Sequence, residues 1–234
     1  MTTSLFLSHG VSLLAADDTW PSTIALRQAL APIGRAATSI VIVSAHWQTD
    51  AFSITADEHL PTFDEGVPTE LLRDTGPFRG SPPLAADVAH RLDAHGLSVR
   101  LVEGRGLDHG ATIALRFLDP HPSTSVIQVS LGPADDPAAH VALGAALRGI
   151  DSLVVTSGGA VHNLTTLQRF APHDVAPPEW ATQFQSKLAS AVFHEEPDRA
   201  LLAMMDEPDF ELAHPTNEHF LPILVNAGLG GRPT

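Results

Sequence analysis

Histidine is the residue type in this sequence best suited to chemistry, because it is abundant and its usual competitors are missing. The 234 residues include 13 histidines but no cysteine and no tyrosine. The absence of cysteine excludes disulfides, thiolate metal sites, iron–sulfur clusters and cysteine nucleophiles. His9, His46, His109 and His162 each follow a predicted strand or the turn after it, and His219 begins a predicted late helix.

Several imidazoles at neighbouring strand ends could hold a divalent metal ion. Neutral imidazole binds zinc, iron, copper and nickel, and two or three imidazoles leave coordination positions open for substrate and water. A ferrous ion could then bind O₂ and substrate together, whereas a zinc ion could act only as a Lewis acid or as a source of hydroxide. Residue types do not choose between these metals. Spacing alone also leaves open that each histidine has a purely structural role.

The elements that would position these histidines alternate between strands and helices. Apolar and β-branched runs predict strands, and 3.6-residue periodicity predicts helices. The pattern predicts one α/β domain over residues 1–234, with a mainly parallel or mixed central sheet flanked by helices. Because ligands bind at the carboxyl ends of strands in such sheets, the histidines are expected to meet at one sheet edge. The predicted strands are 4–8, 39–44, 51–55, 98–102, 125–130 and 152–156, and the predicted helices are 23–30, 70–74, 84–95, 112–118, 138–148, 180–193, 197–205 and 217–227.

Composition disfavours several other classes of function. The net charge of −14 argues against nucleic acid and anionic membranes as partners, since both need clustered positive charge. No apolar run approaches the roughly 20 residues of a membrane-spanning helix, and the N-terminal residues lack the basic segment of a secretory signal. Together with the lack of cysteine, this pattern is typical of a cytoplasmic protein. The sequence also lacks a phosphate-binding loop, a GxGxxG fingerprint, a GxSxG elbow and an HExxH motif.

Five histidine motifs, taken in order, resemble the LigB-type extradiol ring-cleaving dioxygenases, and among these the DODA-like branch. The motifs are LSHG at His9, VSAHW at His46, DHG at His109, SGGAVHNL at His162 and NEHFLPIL at His219. The resemblance runs from residue 5 to residue 224, nearly the whole chain. It implies a LigB-like fold and a non-haem Fe(II) enzyme that splits a catechol ring beside one hydroxyl and inserts both atoms of O₂.

The resemblance also implies a ligand set. His9 and His46 match the two histidine ligands of the family, and His219 matches the third ligand of the DODA-like branch, where other branches use a glutamate. Glu218 is adjacent, but consecutive residues of a helix diverge by about 100°. Only one of the two is therefore expected to face the metal, and the motif favours His219.

Two further histidines match catalytic positions of the family. His162 resembles the second-sphere acid/base, and in some members of the branch this histidine also lies close to the metal, which makes it a candidate fourth contact. His109 resembles the substrate-side histidine that meets the ring oxygens or dioxygen. Gly158 and Gly159 are expected to let the backbone approach closely before His162.

The sequence leaves several questions of specificity and assembly open. The loop 59–80 lacks an expected His-Asp-Phe-like segment, and Phe63 and Asp64 are the nearest equivalents. Arg105 and Arg169 could grip a substrate carboxylate, although surface charges are the more common role. Family members usually continue from the His219 helix into a closing strand, which this sequence lacks. Either this is a trimmed member of the family, or another element, such as one from a second subunit of a homo-oligomer, covers that edge of the sheet. The expected partners are otherwise a small catechol-type aromatic substrate and O₂.

Two alternatives to an Fe(II) dioxygenase remain. A zinc hydrolase could use the same residues to activate water, and zinc could also occupy the site of an iron enzyme as isolated. A non-enzymatic, Memo-like metal-binding protein could share the fold.

Overall fold

A mixed eight-stranded sheet forms the centre of the protein. The structure is a computed structural model that describes residues 2–10, 19–62, 77–166 and 176–230. The sheet confirms the predicted α/β fold, and β2 runs four residues beyond its predicted end. The strands are β1 (Ser4–Ser8), β2 (Ser39–Gln48), β3 (Phe52–Thr55), β4 (His59–Leu60), β5 (Phe78–Arg79), β6 (Val99–Val102), β7 (Ser125–Leu131) and β8 (Leu153–Gly158).

The strand order brings the histidine-bearing elements side by side. The order is β1-β8-β2-β7-β3-β6, with β1, β8, β2 and β7 all parallel. β3 pairs antiparallel with β7 and parallel with β6, while β4 and β5 form a short antiparallel pair beside β7. The carboxyl ends of β1, β8 and β2 therefore share one edge of the sheet.

Helices cover both faces of this sheet. They are α1 (Pro21–Ala36), α2 (Pro82–Ala94), α3 (His109–Leu118), α4 (Pro137–Ala146), α5 (Glu179–Val192), α6 (Pro197–Met204), α7 (Phe210–Ala213) and α8 (Leu221–Gly228). The alternation of side chains in β2 separates the two cores: Ile40 and Ile42 pack with α1 and α3, and Val41 and Val43 face the layer of the other helices. No helix within the described ranges is long and apolar enough to cross a membrane.

Two helix starts differ from the prediction for identifiable reasons. α3 begins at His109 rather than at residue 112, because the Asp108 side chain accepts a hydrogen bond from the Ala111 N–H and caps the helix. The helix predicted over 217–227 begins only at Leu221. Pro222 then lies in the first turn, where its missing N–H is tolerated, whereas an earlier start would place it in the helix interior.

The short elements and the long loop were harder to predict. The four residues of α7 are too few to show a periodicity, and β4 and β5 lie inside the segment predicted as a loop. The helical piece predicted over 70–74 lies outside the described residues.

A close contact between helix backbones sets the position of α8, the helix that follows His219. A Cβ on Gly144 of α4 would lie 2.0 Å from the Val225 carbonyl oxygen, and one on Gly228 would lie 2.1 Å from that of Val141. Only glycine permits this approach at either position.

Candidate active site

Five histidines from distant parts of the chain meet at the carboxyl edge of β1, β8 and β2. His9 directly follows β1, and its N–H donates to the Gly158 carbonyl at the end of β8. His46 lies within β2, and His109 is the first residue of α3. His162 follows β8, and His219 lies in the turn before α8.

His9, His46 and His219 form a group that could hold a metal ion. One ring nitrogen from each lies within 4.8 Å of the other two. The Nε2 atoms of His9 and His46 are 3.1 Å apart. The sequence singled out these three as ligands, and the fold brings them together.

Burial keeps the imidazoles of His9 and His46 neutral. His9 is 5% exposed, and its burial, followed by the neighbouring histidines, lowers its pKa well below the ordinary value. Burial and then the charge of His109 lower the pKa of His46 to about 3. Both rings are therefore neutral at pH 7. Neutral imidazole is the form that binds metal ions.

A serine fixes the tautomer of His9. The Ser157 Oγ donates to the Gly110 carbonyl at 2.8 Å, so its lone pair is available to accept from His9 Nδ1 at 3.0 Å. Nδ1 therefore carries the hydrogen and Nε2 the lone pair that faces the other histidines. Second partners of this kind orient metal-binding histidines in proteins.

A carboxylate does the same for His219. The Nδ1–H of His219 donates to Glu218 Oε1 at 2.9 Å, and Thr216 Oγ1 donates to the same oxygen at 2.9 Å. Burial raises the pKa of Glu218, but the hydrogen bonds from His219, its own backbone and Thr216 outweigh it and lower the pKa to about 2. The expected divergence of the two side chains assumed a helix. In the observed turn, Glu218 instead lies beside His219 and supports it.

His162 lies flat against His219. The two ring centroids are 3.3 Å apart with an interplanar angle of 6°, and His162 Nε2 is 3.9 Å from Glu218 Oε1. Burial, followed by the charge of His219, lowers the pKa of His162 to about 4. His162, Glu218 and His219 form a second group with ligand atoms within 4.8 Å of one another, and this group shares only His219 with the His9–His46–His219 group. The role of His162 as a fourth metal contact stays a prediction.

His109 lies next to His46. Its ring centroid is 3.6 Å from that of His46 and 6.0 Å from that of His9. The side chain is partly exposed, so it borders the cluster where a bound molecule could reach it.

A buried carboxylate connects His46 to the start of α3. Asp108 is fully buried and accepts hydrogen bonds from Ser44 Oγ at 2.8 Å, from the Ala111 N–H at 3.0 Å and from Gln128 Nε2. Ser44 Oγ in turn accepts from the backbone N–H of His46 at 3.3 Å. Sequence reasoning missed this network. The one signal for it was the capping position of Asp108 before a helical run.

Two glycines make room for the histidines. A Cβ on Gly110 would lie 2.5 Å from Ser44 Oγ and 3.0 Å from His46 Cδ2. A Cβ on Gly158 would lie 2.4 Å from the His219 carbonyl oxygen, which also accepts a hydrogen bond from the Gly159 N–H at 2.9 Å. The close approach expected at Gly158 is thus the approach of the His219 backbone.

Arg105 is a partly buried residue rather than a surface charge. Its side chain is 17% exposed and lies 3.6 Å from Asp108, and its guanidinium lies 4.3 Å from the centroid of the buried Trp47 ring. Arg169, Phe63 and Asp64 lie outside the described residues.

Comparisons with known proteins identify the family of this chain. The family model described as the catalytic LigB subunit of aromatic ring-opening dioxygenase matches residues 3–233. A 4,5-DOPA dioxygenase extradiol of Portulaca grandiflora is 34% identical over 97% of this chain and 86% of its own length. One of Escherichia coli K12 is 31% identical over 96% of this chain and 84% of its own length. The crystal structure of an uncharacterized protein from Escherichia coli K12 superposes with a TM-score of 0.77 and 30% identity, covering 98% of this chain and 89% of that one. The chain therefore belongs to the LigB family of aromatic ring-opening dioxygenases.

Proposed function

We propose that the protein is an Fe(II)-dependent extradiol dioxygenase that opens a catechol ring with O₂. The observation that carries the proposal is the meeting of His9, His46 and His219 within 4.8 Å, in a chain of the LigB family. These three residues would hold the metal, His162 would act as acid/base, and His109 would meet the substrate.

The donor set fits a ferrous ion. Ser157 and Glu218 hold the Nδ1–H groups of His9 and His219, which leaves both Nε2 lone pairs for a metal. Three neutral imidazoles keep the full +2 charge of the ion, which favours a catecholate that binds through both oxygens. Bound Fe(II) would supply Lewis acidity toward that catecholate and electrons for the reaction with O₂. A zinc ion would fit the same donors, so zinc in protein as isolated would not contradict the proposal.

His162 is suited to move the protons that this reaction requires. A catechol loses protons when it binds, and ring opening needs a proton returned. With its pKa lowered to about 4, His162 is neutral at pH 7 and can accept a proton. The Glu218 carboxylate, 3.9 Å from His162 Nε2, would stabilise the resulting imidazolium.

His109 would orient the substrate from the part of the cluster formed by His46. Its partly exposed ring lies next to His46, so an N–H on it could donate to a ring oxygen or to dioxygen. The pair of His109 and His162 would thus border the substrate on two sides, with proton transfer assigned to His162.

Relatives named for 4,5-DOPA indicate the first substrates to try. Catechols with an amino acid side chain, such as DOPA, belong at the head of a panel that also includes simple alkyl and carboxylated catechols. We further propose a single catalytic domain over residues 1–234, a cytoplasmic location, and no nucleic acid or membrane partner. A homo-oligomer stays a prediction.

The test is anaerobic reconstitution with Fe(II), followed by O₂ uptake and absorbance of the ring-opened product with each catechol. Activity with Fe(II) but not with Zn(II), lost in His46→Ala and kept in the control His95→Ala, is the expected result. His95 is exposed on the surface beyond α2. No uptake with any catechol would refute the oxidative assignment, and Zn(II)-dependent hydrolysis would support a hydrolase instead.

A further inference from the structure

His214 is a buried histidine that the proposed reaction does not use. It lies between α7 and the turn that carries His219, and it is 1% exposed. Its ring packs among Phe184, Phe210 and Phe220, with centroid distances of 5.5, 5.4 and 5.3 Å. An apolar side chain would suit these surroundings better than an imidazole.

The polar atoms of His214 are only half satisfied. Its Nε2 lies 3.2 Å from the Ala160 carbonyl oxygen, and because a carbonyl can only accept, Nε2 must carry the hydrogen. Nδ1 then holds a buried lone pair with no hydrogen-bond partner among the described residues. A buried polar atom without a partner is destabilising, so an imidazole here indicates that its one hydrogen bond has a use.

That hydrogen bond fastens the segment that carries His162. The segment 160–163 is joined to 212–214 by three contacts: His214 Nε2–H to the Ala160 carbonyl, the His162 N–H to the Ala213 carbonyl at 2.8 Å, and Asn163 Nδ2–H to the Leu212 carbonyl at 2.7 Å. His214 is the most deeply buried of these donors, and its ring is held by aromatic side chains on several sides. It therefore fixes the backbone at Ala160, where the segment leaves β8, two residues before His162.

We propose that His214 is a positioning residue for the acid/base His162, acting through the Ala160 carbonyl. It holds the backbone so that the His162 ring stacks on His219 and keeps its Nε2 near Glu218. This inference rests on the proposed function, because the role of His162 in proton transfer belongs to that proposal.

Three substitutions separate this role from simple packing. The amide nitrogen of His214→Gln can reach the position of Nε2, whereas that of His214→Asn reaches only the position of Nδ1. His214→Leu is similar in size, fills the aromatic surroundings and donates nothing. We expect Gln to keep turnover within about twofold, and Asn and Leu to lower kcat roughly tenfold or more, with KM changed less than about twofold.

The free energy of unfolding in urea distinguishes the positioning role from a packing role, because a packing role predicts that turnover falls only where stability falls. His214→Leu removes the unsatisfied nitrogen and is expected to be at least as stable as the wild type while turning over more slowly. Equal turnover in all three variants, or an equal loss in all three, would overturn the proposal. If His214→Leu does not fold, the Gln and Asn variants decide the question by the same criterion.

A second measurement keeps this inference distinct from the proposed function. In the Zn(II)-treated protein, the His162 amide is expected to exchange its hydrogen about fivefold faster in the Asn and Leu variants than in the Gln variant. If the wild type opens no catechol ring, the proposed function fails, and this exchange rate alone tests the positioning of His162. Equal exchange in the three variants would refute it.

Discussion

Ser157→Ala tests whether the hydrogen bond behind His9 supports metal binding. The substitution removes the acceptor of His9 Nδ1–H and the donor to the Gly110 carbonyl, and both groups are buried. Leaving each of these two buried groups without a partner costs about 1–3 kcal/mol, so the metal-free protein should lose roughly 2–6 kcal/mol of unfolding free energy. Loss of an outer partner typically weakens metal binding about 10–100-fold, since the ring can then turn and change tautomer.

Ser130→Ala is a matched control for this experiment. Ser130 is also fully buried, and its Oγ accepts from the Ser53 N–H at 2.8 Å and pairs with Thr49 Oγ1 at 2.7 Å. It should lose comparable stability without a change in metal affinity. Urea unfolding gives the first quantity, and anaerobic competition between the protein and a chelator for Fe(II) gives the second. If Ser157→Ala binds Fe(II) within twofold of the wild type, the supporting role assigned to Ser157 is wrong.

Four further predictions follow from the site and its surroundings. His162→Ala should retain Fe(II) but lose about 10²–10⁴-fold in turnover, and metal analysis beside steady-state rates would check both, with loss of iron as the contrary result. His46→Ala should bind no stoichiometric iron, so full occupancy in that variant would contradict the ligand assignment. Gly110→Ala places a methyl group 2.5 Å from Ser44 Oγ and 3.0 Å from His46 Cδ2; it should weaken Fe(II) binding at least tenfold while the far-ultraviolet circular dichroism stays unchanged. Burial lowers the pKa of His214 from the ordinary 6.5 to about 4, so the unfolded chain takes up this proton first as the pH falls. Between pH 8 and pH 5 the wild type should therefore lose about 2 kcal/mol of unfolding free energy that His214→Leu does not lose, as urea titrations at both pH values would reveal.

The sequence predicted the framework of the site because its strands are strongly patterned. The β-branched run of β2 and the apolar run of β8 each lead directly toward a histidine, and parallel pairing brings such strand ends to one edge. Periodicity could not identify His219 as a candidate metal ligand, since it precedes a helix and belongs to no strand. The ordered motifs identified it.

Contacts between segments far apart in the chain could not be predicted in the same way. His9 and Ser157 are 148 positions apart, and Ser44 and Asp108 are 64 apart, so no local pattern links them. The relation of Glu218 to His219 was misjudged for a local reason. The predicted helix began four residues too early, because Pro222 favours a helix start at Leu221 and helical spacing alone does not show this.

The contact between Gly144 and Gly228 has a consequence for anyone who wishes to evolve this catalyst. Gly228 lies at the far end of α8, roughly 10 Å along the helix axis from Leu221 at about 1.5 Å per residue, yet it determines where that helix rests. Random libraries will therefore contain inactive clones in which one of these glycines is replaced by alanine, far from every reacting atom. Libraries that keep both glycines would place their substitutions at positions where new substrates can be accommodated.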